Sequence, residues 1–149
     1  MLDALTVAAV LVKAGAYLAS LLAAGSALYA VVLAGPGWVR RLCARLAALS
    51  AAAALALTAV RIALQAAFLG GGTAGAAVDP VLLSIVMDSP LGTSSAVRAG
   101  GLALVPAVLL PGLAGAVAAI AGSVLVAASF ALVGHALGEP RVALGVLVF

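Results

Sequence analysis

The chain has 149 residues, 67% of them hydrophobic and 7% charged, where an average soluble domain has roughly 45–50% and 25%. With a mean hydropathy of +1.40 it has too little polar surface to cover a soluble core, so its apolar side chains must face lipid. Seven Lys/Arg against four Asp/Glu give a net charge of +3, but in a membrane protein the position of each charge matters more than the sum, and no nucleic-acid partner is expected.

At about 20 residues per crossing, the length allows four spanning helices with connections and part of a fifth. No period-two pattern is present, which argues against a barrel. The fold class read here is all-α: a polytopic bundle of four transmembrane helices, one short interfacial helix and the start of a fifth span. Gly25-Ser26-Ala27 offers the small residues of a signal-peptide cleavage site. Asp3 in the leader, the lack of Lys or Arg before the apolar run, and Lys13 within it speak for a retained first helix instead.

The first span is predicted over 4–33, closed by Gly35-Pro36-Gly37, a strong breaker. The following loop carries Arg40, Arg41 and Arg45, and the second span runs over 46–69 to Gly70-Gly71-Gly72. By the positive-inside rule the basic 35–45 loop is cytoplasmic and the N-terminus outside, which is the periplasmic side if the membrane is a bacterial inner one. Residues 79–110 are too long for one crossing and too short for two. Asp79-Pro80 and Ser89-Pro90 each set a capping side chain before a proline at the first helical position. They divide this stretch into an interfacial helix over 80–87 and a third span over 90–110. Pro111-Gly112 turns the chain into a fourth span over 113–133. The apolar run 142–149 is too short to cross and reads as the start of a fifth span that continues in a longer protein. Ala119, Ser123, Ala127 and Ala131 form a stripe of small residues spaced by four, which suits close helix packing. The single cysteine, Cys43, has no partner for an internal disulfide.

Lys13, Arg61 and Arg98 stand inside apolar segments, where each costs a few kcal/mol, about 3 at a helix centre. At 1.5 Å per residue they lie about 12–14 Å in from the outer ends of their helices. Tyr17 follows Lys13 by four residues and Gln65 follows Arg61 by four, so each cation has a polar neighbour on its own face. Snorkelling or structural pairing, including with Asp88, would explain the cations without a ligand. A polar cavity formed by Lys13, Arg61, Gln65 and Arg98 and opening outward would suit an anionic ligand or haem propionates. On the same side Met87, Asp88 and His135 are candidate metal ligands. Thioether and imidazole together favour copper, above all Cu(I), although a lone Met is also an ordinary packing residue and a lone His an ordinary cap. No phosphate-binding loop, paired carboxylates or nucleophile with a base is present in the sequence, so no catalysis is expected.

Three stretches carry a family likeness: Leu11-Val12-Lys13 through Gly25-Ser26-Ala27-Leu28; Met87-Asp88-Ser89-Pro90-Leu91-Gly92-Thr93 followed by Arg98; and Ser129-Phe130-Ala131-Leu132-Val133-Gly134-His135-Ala136. On these the chain resembles the N-terminal half of the copper resistance D (CopD) family of bacterial inner-membrane proteins. Leu91 stands where an aromatic is common in that family. The resemblance implies copper handling at the inner membrane, described for the family as import from the periplasm, with a periplasmic copper-binding protein or domain as partner. It makes His135 the leading ligand and Arg98 the leading structural or cavity cation, and it implies a His- and Trp-bearing helix beyond Phe149. The copper reading therefore places an outer vestibule near Met87, Asp88 and His135. The alternatives are a haem protein with His135 as one axial ligand and the three cations around the propionates, and a helical scaffold subunit that binds no ligand.

Overall fold

A computed structural model describes residues 4–132 of the chain, all of its regular structure being helical. His135 and the 142–149 run lie outside the described residues. The first helix, α1 (Ala4–Leu28), ends in one wider turn over Tyr29–Leu33, where the Ala34 N–H donates to the Tyr29 carbonyl at 2.9 Å. The second, α2 (Trp38–Leu69), is followed by a 3₁₀ turn at Gly75–Val78 and the short α3 (Pro80–Met87). The third long helix, α4 (Pro90–Leu104), tightens into a 3₁₀ turn over Val105–Leu109, and α5 (Leu113–Ala131) closes the described chain. Four of these helical segments are long and apolar enough to cross a membrane.

The boundaries have local chemical causes. Asp79 accepts hydrogen bonds from the Val81 and Leu82 N–H groups at 2.8 and 3.3 Å, with Pro80 opening α3. Ser89 Oγ accepts from the Gly92 N–H at 3.4 Å, with Pro90 opening α4. A Cβ on Gly92 would run into the Met87 backbone, so the turn joining α3 to α4 has room for glycine alone. At the end of α2 the Gly72 N–H donates to the Ala67 carbonyl at 2.8 Å and the Gly71 N–H to Phe68 at 3.3 Å. This double bond pattern closes the last helical carbonyls and needs a left-handed residue, supplied by Gly71 with φ 73°. Pro106 supplies no N–H for the α-helical ladder, which accounts for the tightened end of the third span.

One boundary differs from the sequence reading. The second helix begins at Trp38, not near residue 46, so Arg40, Arg41 and Arg45 are helical residues of its first turns. The Gly35-Pro36-Gly37 break alone makes the connection, and arginine, a good helix former, continues the helix as readily as leucine would.

The four long helices are arranged as a ring in chain order. Each of α1, α2, α4 with its 3₁₀ end, and α5 packs on the next, α5 returns to α1, and the diagonal pair α1 and α4 barely meets. The interior is lined by small residues: Ala16, Ala23, Ala27, Ala47, Ala51 and Ala54 are fully buried, joined by Leu102, Val105 and Val126. Large side chains point the other way; Leu11, Leu18, Leu49 and Val32 are each about two-thirds exposed. That distribution is the reverse of a soluble bundle and forms the apolar belt a bilayer covers.

Between α4 and α5 the backbones touch. A Cβ on Gly101 would stand 2.7 Å from the Gly122 carbonyl oxygen, and one on Gly122 would stand 2.6 Å from that of Gly101. The buried seam of α5 is Gly115, Ala119, Gly122, Ser123, Val126 and Ser129. The spacing-by-four stripe therefore leaves the interface: Ala119 and Ser123 are buried, Ala127 and Ala131 exposed. Four residues turn a helix by about 400°, so such a stripe drifts about 40° per step, while a seam alternating threes and fours stays on one face.

Candidate functional site

The intramembrane cations of the three spans gather on one aromatic side chain. Tyr17, on α1, has the Arg98 guanidinium carbon 4.8 Å from its ring centre, that of Arg61 5.3 Å away and the Lys13 ammonium 6.0 Å away. Arg61 also donates a hydrogen bond from Nη1 to the Tyr17 hydroxyl at 3.3 Å. Phe130, on α5, meets the edge or face of Tyr17 at 5.1 Å with the rings 76° apart, and its own centre is 4.4 Å from the Arg98 guanidinium carbon. Four helices thus contribute to one cluster: Tyr17 and Lys13 from α1, Arg61 from α2, Arg98 from α4 and Phe130 from α5.

Arg98 is fully buried. Its Nε donates to Ser129 Oγ at 3.0 Å, and Ser129 Oγ in turn donates to the Val126 carbonyl at 2.7 Å. Ser94, one turn before Arg98, donates to the Ser129 carbonyl at 2.8 Å. The Gly101–Gly122 contact brings the two helices close enough for these short side chains to reach across. Arg98 Nη2 remains without a hydrogen-bond partner among the described residues, an unusual condition for a buried donor.

Lys13, Arg61 and Gln65 share the wall of a cavity of about 230 Å³ with Thr6, Leu64 and Phe68. This brings three of the four expected cavity residues together. Arg98 does not line that cavity; it is sealed against Tyr17 and Phe130. Neither arginine turns to Asp88, since Arg61 reaches Tyr17 and Arg98 reaches Ser129. Met87 and Asp88 close α3 and both side chains are exposed, Met87 at 44%. They lie in the Gly70–Ser89 connection at the end of the bundle where α1 begins and α2 ends, which is also the half containing the cavity. Among the described residues no three His, Cys, Asp or Glu side chains stand together as a metal site. Cys43 is a half-buried free thiol packed on the alanine core.

Sequence reasoning finds Tyr17 only as the neighbour of Lys13. Ser94 is legible only as a polar residue in an apolar segment, and Ser129 and Phe130 only within a family motif. Their joint role depends on helix rotation and on contacts between residues more than 30 positions apart.

The cluster makes Tyr17 separable into two functions. Tyr17→Phe keeps the ring under three cations and removes one hydrogen bond to a charged donor, with an expected loss of about 1 kcal/mol or less, the bond being long. Tyr17→Ala removes the ring as well and is expected to cost about 3 kcal/mol or more. Unfolding of the two variants in detergent measures the difference; equal losses would mean that the hydroxyl, not the ring face, organises the cations.

Fold and site together define a multi-pass helical membrane protein whose spans meet around one buried arginine, Arg98, with the half-buried Arg61 and the exposed Lys13 on the same tyrosine ring. The chain matches the family described as "Copper resistance protein D-like, N-terminal domain" over residues 1–141, and it belongs to that family. It is accordingly a copper-related membrane protein. No curated protein and no solved structure gives a match.

Proposed function

We propose that this domain takes up copper for import from the periplasm, at an outer vestibule of the bacterial inner membrane, and carries out no chemical conversion. In this reading Met87, Asp88 and His135 supply ligands at the outer end and a periplasmic copper-binding protein or domain delivers the ion. Family membership is the observation that carries the reading. Two exposed candidate ligands at the end of α3, in the same half as the Lys13–Arg61 cavity, support it. The thioether of Met87 favours Cu(I) over hard cations.

Electrostatics then limits where the metal can sit. At an effective dielectric constant of 20, a unit positive charge repels Cu(I) by about 4 kcal/mol at 4 Å. Lys13 and Arg61 face the same cavity, so a bare copper ion is held at the Met87–Asp88 level and does not pass beneath them. The cavity suits an anion instead. This favours a second reading, in which haem propionates meet Lys13 and Arg61 and His135 is an axial ligand.

Copper stoichiometry of the purified full-length protein under reducing conditions, with an absorption spectrum of the same sample, tests both. The expected result is copper bound by the wild type, lost in His135→Ala and weakened about ten-fold or more in Met87→Leu, the scale for loss of one ligand-shell contribution. Unchanged binding in both variants would sink the ligand assignment. A Soret band without copper would establish the haem reading, and neither signal would leave a ligand-free scaffold.

A further inference from the structure

At the opposite end of the bundle from Lys13, the first turns of α2 and the turn between α4 and α5 enclose a second cavity, of about 330 Å³. Arg40, Arg41 and Arg45 line one side; Val108, Leu109, Leu110 and Pro111 line the other, with Ala44 at the base. Arg41 and Arg45 are exposed and Arg40 half-exposed, and none of the three side chains makes an ion pair or hydrogen bond among the described residues. They are three of the seven basic residues of the chain, and the α2 first turn contains no acidic residue to balance them. Cations in the first turn of a helix also oppose its dipole, at a cost of some tenths of a kcal/mol each for Arg40 and Arg41. The positive-inside rule accounts for basic residues at this end; it does not account for their lining one cavity with residues 108–111.

The two walls differ in a way that specifies an occupant. Guanidinium groups bind phosphate oxygens bidentately, whereas Leu109 and Leu110, 53% and 59% exposed, continue the outer apolar belt of the bundle. Leu42 and Leu46, 56% and 40% exposed on the same stretch of α2, extend that belt beside the arginines. A free phosphate would use the first wall and leave the second bare. A phospholipid uses both, its headgroup against the arginines and its acyl chain along the leucines. Basic pockets between helices at a membrane boundary are suited to anionic lipids for this reason.

We propose that the Arg40–Arg41–Arg45 cavity is a binding site for an anionic phospholipid, with the phosphate held by the arginines and an acyl chain lying on Leu109 and Leu110. The site is separate from the copper reading and stands or falls independently of it. It would couple the start of α2 to the α4–α5 turn through the lipid, since the two walls come from these two parts of the chain.

Native mass spectrometry and thermal unfolding of the full chain in detergent test the proposal, with phosphatidylglycerol, phosphatidylcholine and inorganic phosphate as the three probes. Phosphatidylglycerol is expected to be retained and to raise the unfolding temperature, phosphatidylcholine to do so at least ten-fold less effectively, and inorganic phosphate not at all at equal concentration. Single variants Arg41→Gln and Arg45→Gln leave two arginines to hold the orientation and are each expected to weaken phosphatidylglycerol binding about five-fold, the contribution of one basic residue near an anionic surface. Equal retention of the two lipids would overturn the charge-specific site. An equal effect of inorganic phosphate would show a simple anion site, with the apolar wall unused. Undiminished binding in both variants, with wild-type unfolding temperatures in the absence of lipid, would place any lipid elsewhere.

Discussion

Arg98→Met is expected to leave the bundle folded, with stability changed by less than about 1.5 kcal/mol, as for a volume-conserving interior swap. Arg98→Ala is expected to lose about 3 kcal/mol as a large-to-small change at a packed crossing. The two outcomes differ because the guanidinium contributes little net stability. Its stacking on Tyr17 and Phe130 yields up to about 2 kcal/mol each when desolvated. The bond to Ser129 adds about 2 kcal/mol. Burying the charge costs several kcal/mol in return, and Nη2 is left unbonded. The hydrocarbon stem, by contrast, fills volume that alanine would leave empty. Unfolding of both variants in detergent measures the difference. If Arg98→Met proved as unstable as Arg98→Ala, the charge itself would be what holds the four spans together.

The second large effect is expected at the α4–α5 contact. Gly101→Val and Gly122→Val each place a branched side chain where the partner helix has backbone, within 3 Å of a carbonyl oxygen. Backbone cannot rotate aside as a side chain does, so the helices must separate, at a cost of about 3 kcal/mol or more. Separation would also break the bonds of Ser94 and Arg98 to Ser129. Alanine at either position is expected to cost less, about 1–3 kcal/mol, because a single methyl can be met by a smaller shift. Gly100→Ala is the control: it is in the same helix, no atom lies within 4 Å of its added Cβ, and helix propensity favours alanine by up to about 1 kcal/mol. Protein yield and unfolding concentration in denaturing detergent separate these cases. Equal behaviour of Gly100→Ala and Gly101→Val would show that the close contact does not form.

The helical, polytopic class was legible because hydrophobicity over a span is an additive property of the residues in it. Caps were legible for a similar reason. Asp79 and Ser89 act on N–H groups two or three positions ahead, so their chemistry is complete within a few residues. The start of α2 was not, because Gly37 offers no capping side chain and a run of arginines reads equally well as a loop or as helix. Rotation about a helix axis was not legible either. Ala127 and Ala131 belong by composition to the same stripe as Ala119, yet they face outward. The meeting of Lys13 and Arg61 on one cavity could be read from depth, since both lie about 12–14 Å from one end, and Gln65 follows Arg61 by one turn on the same face. The sealing of Arg98 away from them could not, because it depends on where the rings of Tyr17 and Phe130 fall.

The alanine interior also constrains any conduction path. Where neighbouring helices meet through Ala23, Ala27, Ala47, Ala51 and Ala54, all fully buried, they stand close enough to leave no lumen along that contact, and no polar side chain among these five would solvate an ion there. Under the copper reading an ion would therefore not descend between α1 and α2 at that level, and the seam between α4 and α5 is closed as well by the Gly101–Gly122 backbone contact.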